Sequence, residues 1–176
     1  VVKLIISSMK KTCIIYGSTT GTTESVAGMI ASKMGIEDNC VYNASDLTPD
    51  LINQFDALIL GSSTWGDGEL QDDWYDAVKV LKGMDLQGKV IALFGCGDSE
   101  SYSDTFCDAI GLLYEELKAT GGEFVGSVPS SDYQFGASVA EVDGRFVGLP
   151  LDEMNESHLT DSRIEKWIET IKPYFT

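Results

Sequence analysis

Positive charge and histidine are both scarce in this sequence. Its 12 Lys and Arg residues stand against 28 Asp and Glu, a formal net charge of −16 over 176 residues. A field of that sign repels nucleic acid and anionic membranes and attracts basic protein surfaces, although solubility alone accounts for part of it. The single histidine, His158, lies in a polar stretch far from any nucleophile-like motif, which leaves a hydrolase without its general base. Cysteine is sparse too, and Cys13, Cys40, Cys96 and Cys107 lack the paired spacing of a zinc site. The expectation is reduced thiols, a cytoplasmic location and no metal. No apolar run is long enough to cross a bilayer. Residues 1–8, apolar but without a basic leader, read as an N-terminal extension or a cloning remnant ahead of Met9-Lys10-Lys11.

The remainder has an ordinary globular composition, with 43% apolar and 23% charged residues. A length of 176 residues fits one domain, taken as residues 9–176. Short apolar strands alternate with helical patterns, the order of an α/β fold with a parallel sheet covered on both faces. The strands are expected at Thr12–Tyr16, Cys40–Asn43, Ala57–Gly61, Val90–Gly95 and Phe124–Ser127. Phe106, Ile110, Leu113 and Leu117 form one helical core stripe, and Ile164, Trp167, Ile168 and Ile171 another. Residues 128–157 are too long and too rich in Gly, Pro and Ser for a plain connection and should carry structure of their own. Asp143-Gly144 between apolar residues predicts a small hairpin there.

The chemistry is concentrated in three loops. Between the first strand and the first helix runs Gly17-Ser18-Thr19-Thr20-Gly21-Thr22-Thr23. A helix N-terminus has unpartnered amides and a partial positive charge, and the hydroxyls add neutral donors, so the loop suits a phosphate. It has no Lys, as a nucleoside-triphosphate loop would, and lacks the three spaced glycines of a dinucleotide site. A threonine-rich cap on an ordinary helix is the plainer alternative. The third strand runs into Ser62-Ser63-Thr64-Trp65-Gly66-Asp67, and the fourth into Cys96-Gly97-Asp98, continuing to Tyr102, Thr105 and Cys107. Each of these two loops places one aromatic among polar residues, where an apolar body needs something flat to cover.

The spacing of Ser18, Thr20, Gly21 and Thr23 after a first strand resembles the phosphate loop of the flavodoxins. Gly144-Arg145-Phe146-Val147-Gly148-Leu149-Pro150-Leu151-Asp152-Glu153 resembles the end of the insertion that marks their long-chain class. The likeness extends from Met9 to the C-terminus. It implies a flavodoxin-like three-layer sandwich whose five-stranded parallel sheet has the order 2-1-3-4-5, with the last strand split by the insertion at 128–157. Flavodoxin is itself the known example of a ligand bound where that strand order reverses.

What the resemblance implies for function is non-covalent FMN and one-electron transfer between larger redox proteins. Its binding residues would be Ser18, Thr19, Thr20, Gly21, Thr22, Thr23, Ser63, Thr64, Trp65, Gly66, Cys96, Gly97, Asp98, Tyr102, Thr105 and Cys107, with Trp65 and Tyr102 shielding the ring. Asp67, Glu69, Asp98, Glu100 and Asp104 surround that place without a Lys or Arg in either loop. Like charges disfavour an anionic reduced flavin, so a low potential is expected. Gly66 would let the Gly66–Asp67 peptide turn toward a semiquinone. Tyr133 and Phe135 are expected to pack the insertion onto the sheet, and Met154 stands where long-chain relatives often carry an acidic residue. The partners implied are basic redox proteins in transient contact with a monomer, without nucleic acid or membrane.

Two other readings of the fold are weighed against this one. A phosphate-accepting signalling domain would need an acidic residue at the end of the third strand, where Gly61 and Ser62 stand. An FMN-dependent NAD(P)H reductase would need one open face of the flavin, which Trp65 and Tyr102 together would close.

Overall fold

The computed structural model describes residues 9–176; residues 1–8, read above as an extension, lie outside the described residues. The chain starts with strand β1 (Thr12–Gly17), helix α1 (Thr22–Met34), strand β2 (Val41–Asn43) and a short helix α2 (Pro49–Asn53). Strand β3 (Ala57–Trp65) folds back on β4 (Glu69–Leu70), and α3 (Trp74–Lys82), β5 (Val90–Cys96) and α4 (Asp108–Leu117) follow. The last third holds β6 (Glu123–Val125), β7 (Val128–Pro129), β8 (Glu141–Val142), β9 (Arg145–Phe146), β10 (Leu149–Leu151) and α5 (Ser157–Ile171).

The main sheet runs β10-β5-β3-β1-β2, and its neighbours on that path are parallel. β6 lies along Val90 to Ala92 of β5 and β10 along Phe94 to Cys96, both parallel. They are two halves of one edge strand, so the fifth position is split as expected. The two halves and the antiparallel β4 bring the sheet to seven strands.

Alternation along each strand sends side chains to two separate cores. Ile14, Ile59, Ala92 and Phe94 face α1 and α5 on one side. Cys13, Ile15, Leu58, Leu60, Ile91 and Leu93 face α3 and α4 on the other. Trp167 and Ile171 of the α5 stripe are buried as their spacing predicts, and so are Ile110, Leu113 and Leu117 of α4.

Several boundaries move, each for a local reason. The stripe begins at Phe106 but α4 begins at Asp108, because Cys107 sits at φ +52°. The strand expected at Phe124–Ser127 ends at Val125, where Gly126 at φ +89° turns the chain away and gives its carbonyl to Trp167 Nε1 at 2.9 Å. The stretch after Gly61, read as loop, instead extends β3 to Trp65 and returns through a tight hairpin. Leu149–Leu151, not read as a strand, pairs with β5 at the sheet edge, where a proline such as Pro150 is tolerated.

Between its two edge half-strands the chain leaves the sheet to build a second, three-stranded sheet of order β7-β9-β8. Asp143 and Gly144, at φ +51° and +76°, form the turn between β8 and β9 that the sequence indicates. Tyr133 and Phe135 pack this excursion down. Phe135 stacks on Phe106 at 5.7 Å, Tyr133 meets Phe146 edge-on at 5.2 Å, and Tyr133 Oη donates to Pro150 O at 2.8 Å.

Candidate functional site

Three loops leave the carboxyl ends of β1, β3 and β5 on the same side of the sheet, and the strand order reverses between β1 and β3. That is where an open α/β sheet offers a ligand crevice. A cavity of about 290 Å³ lies there, lined by Thr20, Thr22, Ser63, Thr64, Trp65, Gly66, Cys96, Gly97, Asp98, Tyr102, Thr105, Glu153 and Met154. All three loops read as functional in the sequence therefore reach one cavity.

The β1–α1 loop is built to leave donors free. Gly21 takes a left-handed conformation at the N-cap of α1, and no side chain caps the helix. Its carbonyl accepts from Ser25 N, while its own amide is spent on Ser18 Oγ at 3.1 Å. Thr19 Oγ1 accepts from Gln71 Nε2 at 3.2 Å. Thr23 is fully buried, and its hydroxyl oxygen has no hydrogen-bond partner among the described residues. An uncapped first turn with an orphaned buried hydroxyl beside it fits an anion. Gly17 is confined from below, since a Cβ there would strike Gln71 Oε1 and the Trp74 ring.

The β3 end supplies a fixed aromatic. Trp65 Nε1 donates to Ser63 Oγ at 2.7 Å, and the ring is 41% exposed. Thr64 Oγ1 accepts from Ala109 N at 3.1 Å, so this hydroxyl also caps the first turn of α4. The hairpin after Trp65 turns on Gly66 and Gly68, at φ +52° and +86°, conformations a β-branched residue would find strained.

The β5 end supplies the second aromatic. Tyr102 is 57% exposed, and its amide donates to Asp98 O at 3.0 Å. Asp98 Oδ1 accepts from Ser101 N at 2.9 Å; this bond foremost, with a further one from Asn155, holds the carboxyl below its usual range. Burial pushes the Cys96 thiol up to about 12 and the Cys107 thiol well above its ordinary value. Both stay protonated, so the cavity has no thiolate nucleophile beside it. Among the described residues no cluster of His, Cys, Asp and Glu could hold a metal ion.

Of the residues singled out from sequence, Ser18, Thr19, Gly21, Thr23 and Cys107 do not line the cavity. The first four belong to the β1–α1 loop and the first turn of α1, Thr19 exposed and Thr23 buried. Cys107 lies wholly buried below the cavity, its sulfur 3.9 Å from the carbonyls of Gly95 and Leu151. Sequence reasoning missed Gln71 and Trp74, which support the loops from α3 and the segment before it. It also gave no site role to Glu153, the last residue of the quoted insertion motif, which lines the cavity together with Met154, 75% exposed.

Comparison with known proteins finds matches along almost the whole chain. The profile of the family described as Flavodoxin matches residues 14–167. A flavodoxin of Buchnera aphidicola is 42% identical, the match covering 95% of this chain and 98% of that one. Flavodoxin 1 of Azotobacter vinelandii is likewise 42% identical over 95% and 98%. The crystal structure of Fusobacterium nucleatum flavodoxin bound to flavin mononucleotide superposes with a TM-score of 0.89 at 33% identity, covering 96% of this chain and 100% of that one.

Proposed function

Because the chain belongs to the flavodoxin family, we propose that it binds FMN non-covalently in the cavity between the β1, β3 and β5 loops and carries single electrons between larger redox proteins. The observation that carries this reading is the convergence on one cavity of two half-exposed aromatics, Trp65 and Tyr102, with an uncapped helix N-terminus. When bound, FMN supplies the chemistry: it takes up and gives off electrons one at a time.

The residues present fit that group. The free amides at the start of α1 and the hydroxyls of Thr20, Thr22 and Thr23 suit a terminal phosphate without any cation. Trp65 and Tyr102 provide flat apolar cover for a ring and keep water from it. Gly66, in its left-handed turn, lets the Gly66–Asp67 peptide rotate toward the ring without a side-chain penalty. Asp67, Glu69, Asp98, Glu100 and Asp104 oppose added negative charge in the site, which lowers the potential at which electrons are given up.

The same acidity addresses the partners. With a net charge of −16, the protein favours donors and acceptors with basic faces, held briefly and more weakly as salt rises. It acts as a monomeric carrier rather than an enzyme. Its four free cysteines support a reducing, cytoplasmic setting.

Stopped-flow reduction of the FMN-loaded protein tests this. NADPH alone should reduce it negligibly, whereas NADPH with a flavoprotein reductase should reduce it quickly, at a rate that falls as ionic strength increases. Rapid stoichiometric reduction by NADPH alone would make the protein a reductase instead.

A further inference from the structure

Asp152, the residue following β10, is fully buried, and among the described residues no cation pairs with it. Its carboxylate oxygens accept from Ser99 N at 3.2 Å, Ser99 Oγ, Asn155 N at 3.1 Å and Asn155 Nδ2 at 3.0 and 3.1 Å. A buried carboxylate is costly without a cation and persists only with a full set of donors. Here half of those donors belong to Ser99, in the loop that carries Tyr102. Asn155 Nδ2 also reaches Asp98 Oδ1 at 2.9 Å, and Gly97 N donates to Leu151 O at 3.0 Å. Asp98 in turn accepts from Glu100 N, Ser101 N and Tyr102 N. Residues 97, 98 and 99 are thus pinned to residues 151–155, and the Asp98 turn passes that constraint on to Tyr102.

We infer that Asp152 is a positioning residue: through Ser99 and Asn155 it fixes the 97–102 loop so that Tyr102 stands at the cavity before any ligand arrives. The role of Tyr102 rests on the reading of the cavity as an FMN site, but the link from Asp152 to the loop does not. It also gives the split edge strand a consequence for function, since the half that returns after the excursion carries the anchor. Preorganised contacts bind more tightly because ordering is not deferred to the binding step.

Two measurements test the inference. In the apoprotein, Asp152→Ala should speed amide hydrogen exchange at Ser99, Ser101 and Tyr102 by about tenfold or more, leaving the amides of β1, β3 and β5 unchanged. In a double-mutant cycle on FMN affinity, Asp152→Ala and Tyr102→Ala should each weaken binding, and the double variant should be no more than about twofold weaker than the worse single one. Unchanged exchange in the loop, or losses of affinity that simply multiply, would overturn it. Should Asp152→Ala fail to fold, Asn155→Ala cuts the bridge to Asp98 while sparing the Ser99 bonds; exchange should then quicken at Ser101 and Tyr102, and the affinity criterion is unchanged. Faster loop exchange in a protein whose wild type binds no FMN would keep the Asp152 link and sink the cofactor reading. Normal FMN binding with unaltered exchange would do the reverse.

Discussion

Replacing Trp74 with alanine should lower the stability of the apoprotein by about 3–5 kcal/mol, the usual cost of deleting a buried Trp side chain. Trp74 is fully buried in the core beneath α3, and its Nε1 donates to Gly61 O at 2.8 Å. The same ring lies against Gly17, where a Cβ would come within 2.5 Å of Trp74 Cδ1. One side chain therefore supports the middle of β3 and the last residue of β1, from which the phosphate-type loop departs. Removing it leaves a cavity, takes one hydrogen bond from the Gly61 carbonyl and loosens the loop, so FMN binding should weaken along with stability. Trp74→Phe keeps most of the packing and loses the hydrogen bond, a change worth about 1–3 kcal/mol. Urea unfolding followed by circular dichroism measures both. A loss below about 1 kcal/mol for the alanine variant would contradict the role given to Trp74, since total stability is only about 5–15 kcal/mol for a domain.

The opposite pattern is expected at the cavity mouth. Trp65→Ala and Tyr102→Ala should each weaken FMN binding by about 5- to 150-fold, taking roughly 1–3 kcal/mol per lost stacking platform. Neither should shift apoprotein stability by more than about 0.5 kcal/mol, because both rings are already half exposed and pack little of the core. Trp65→Phe and Tyr102→Phe should recover most of the affinity, since a flat apolar face is what is needed. Fluorescence titration of FMN with apoprotein gives the dissociation constants, and urea unfolding gives the stability. Variants that lose stability but bind FMN normally would show that these rings are structural, with no part in a stacking site. Taken with Trp74, the two pairs of measurements separate residues that build the loops from residues that present themselves to a ligand.

Much of this was legible in the sequence because it is local. A hydroxyl-rich loop between a strand and a helix, glycine at the strand ends and single aromatics in polar loops are readable from neighbours alone. The α/β class with a parallel sheet followed from alternating strand and helix patterns, the strand order from the family resemblance, and the two buried stripes from helical spacing. What was not legible depends on contacts between distant segments. Gln71 and Trp74 matter because α3 starts directly beneath Gly17 and Gly61, which no local pattern reveals. The extension of β3 to Trp65 depends on its pairing with Glu69 and Leu70, and the half-strand at Leu149–Leu151 on its pairing with β5. Thr23 reads as one hydroxyl among several, yet its position on the inner face of α1 buries it completely. Asp152 stands in the quoted insertion motif without a role of its own, and only the approach of the Ser99 loop makes it an anchor.

The most direct test of the account is equilibrium titration of the apoprotein with FMN and, in parallel, with riboflavin, which lacks only the phosphate. If the uncapped start of α1 holds the phosphate, two or more charge-assisted hydrogen bonds are lost with it, each worth about 1.5–3 kcal/mol. FMN should bind one to one, and riboflavin at least about 100-fold more weakly. Equal affinities for the two, or no binding of either, would contradict the assignment of this cavity and its loop.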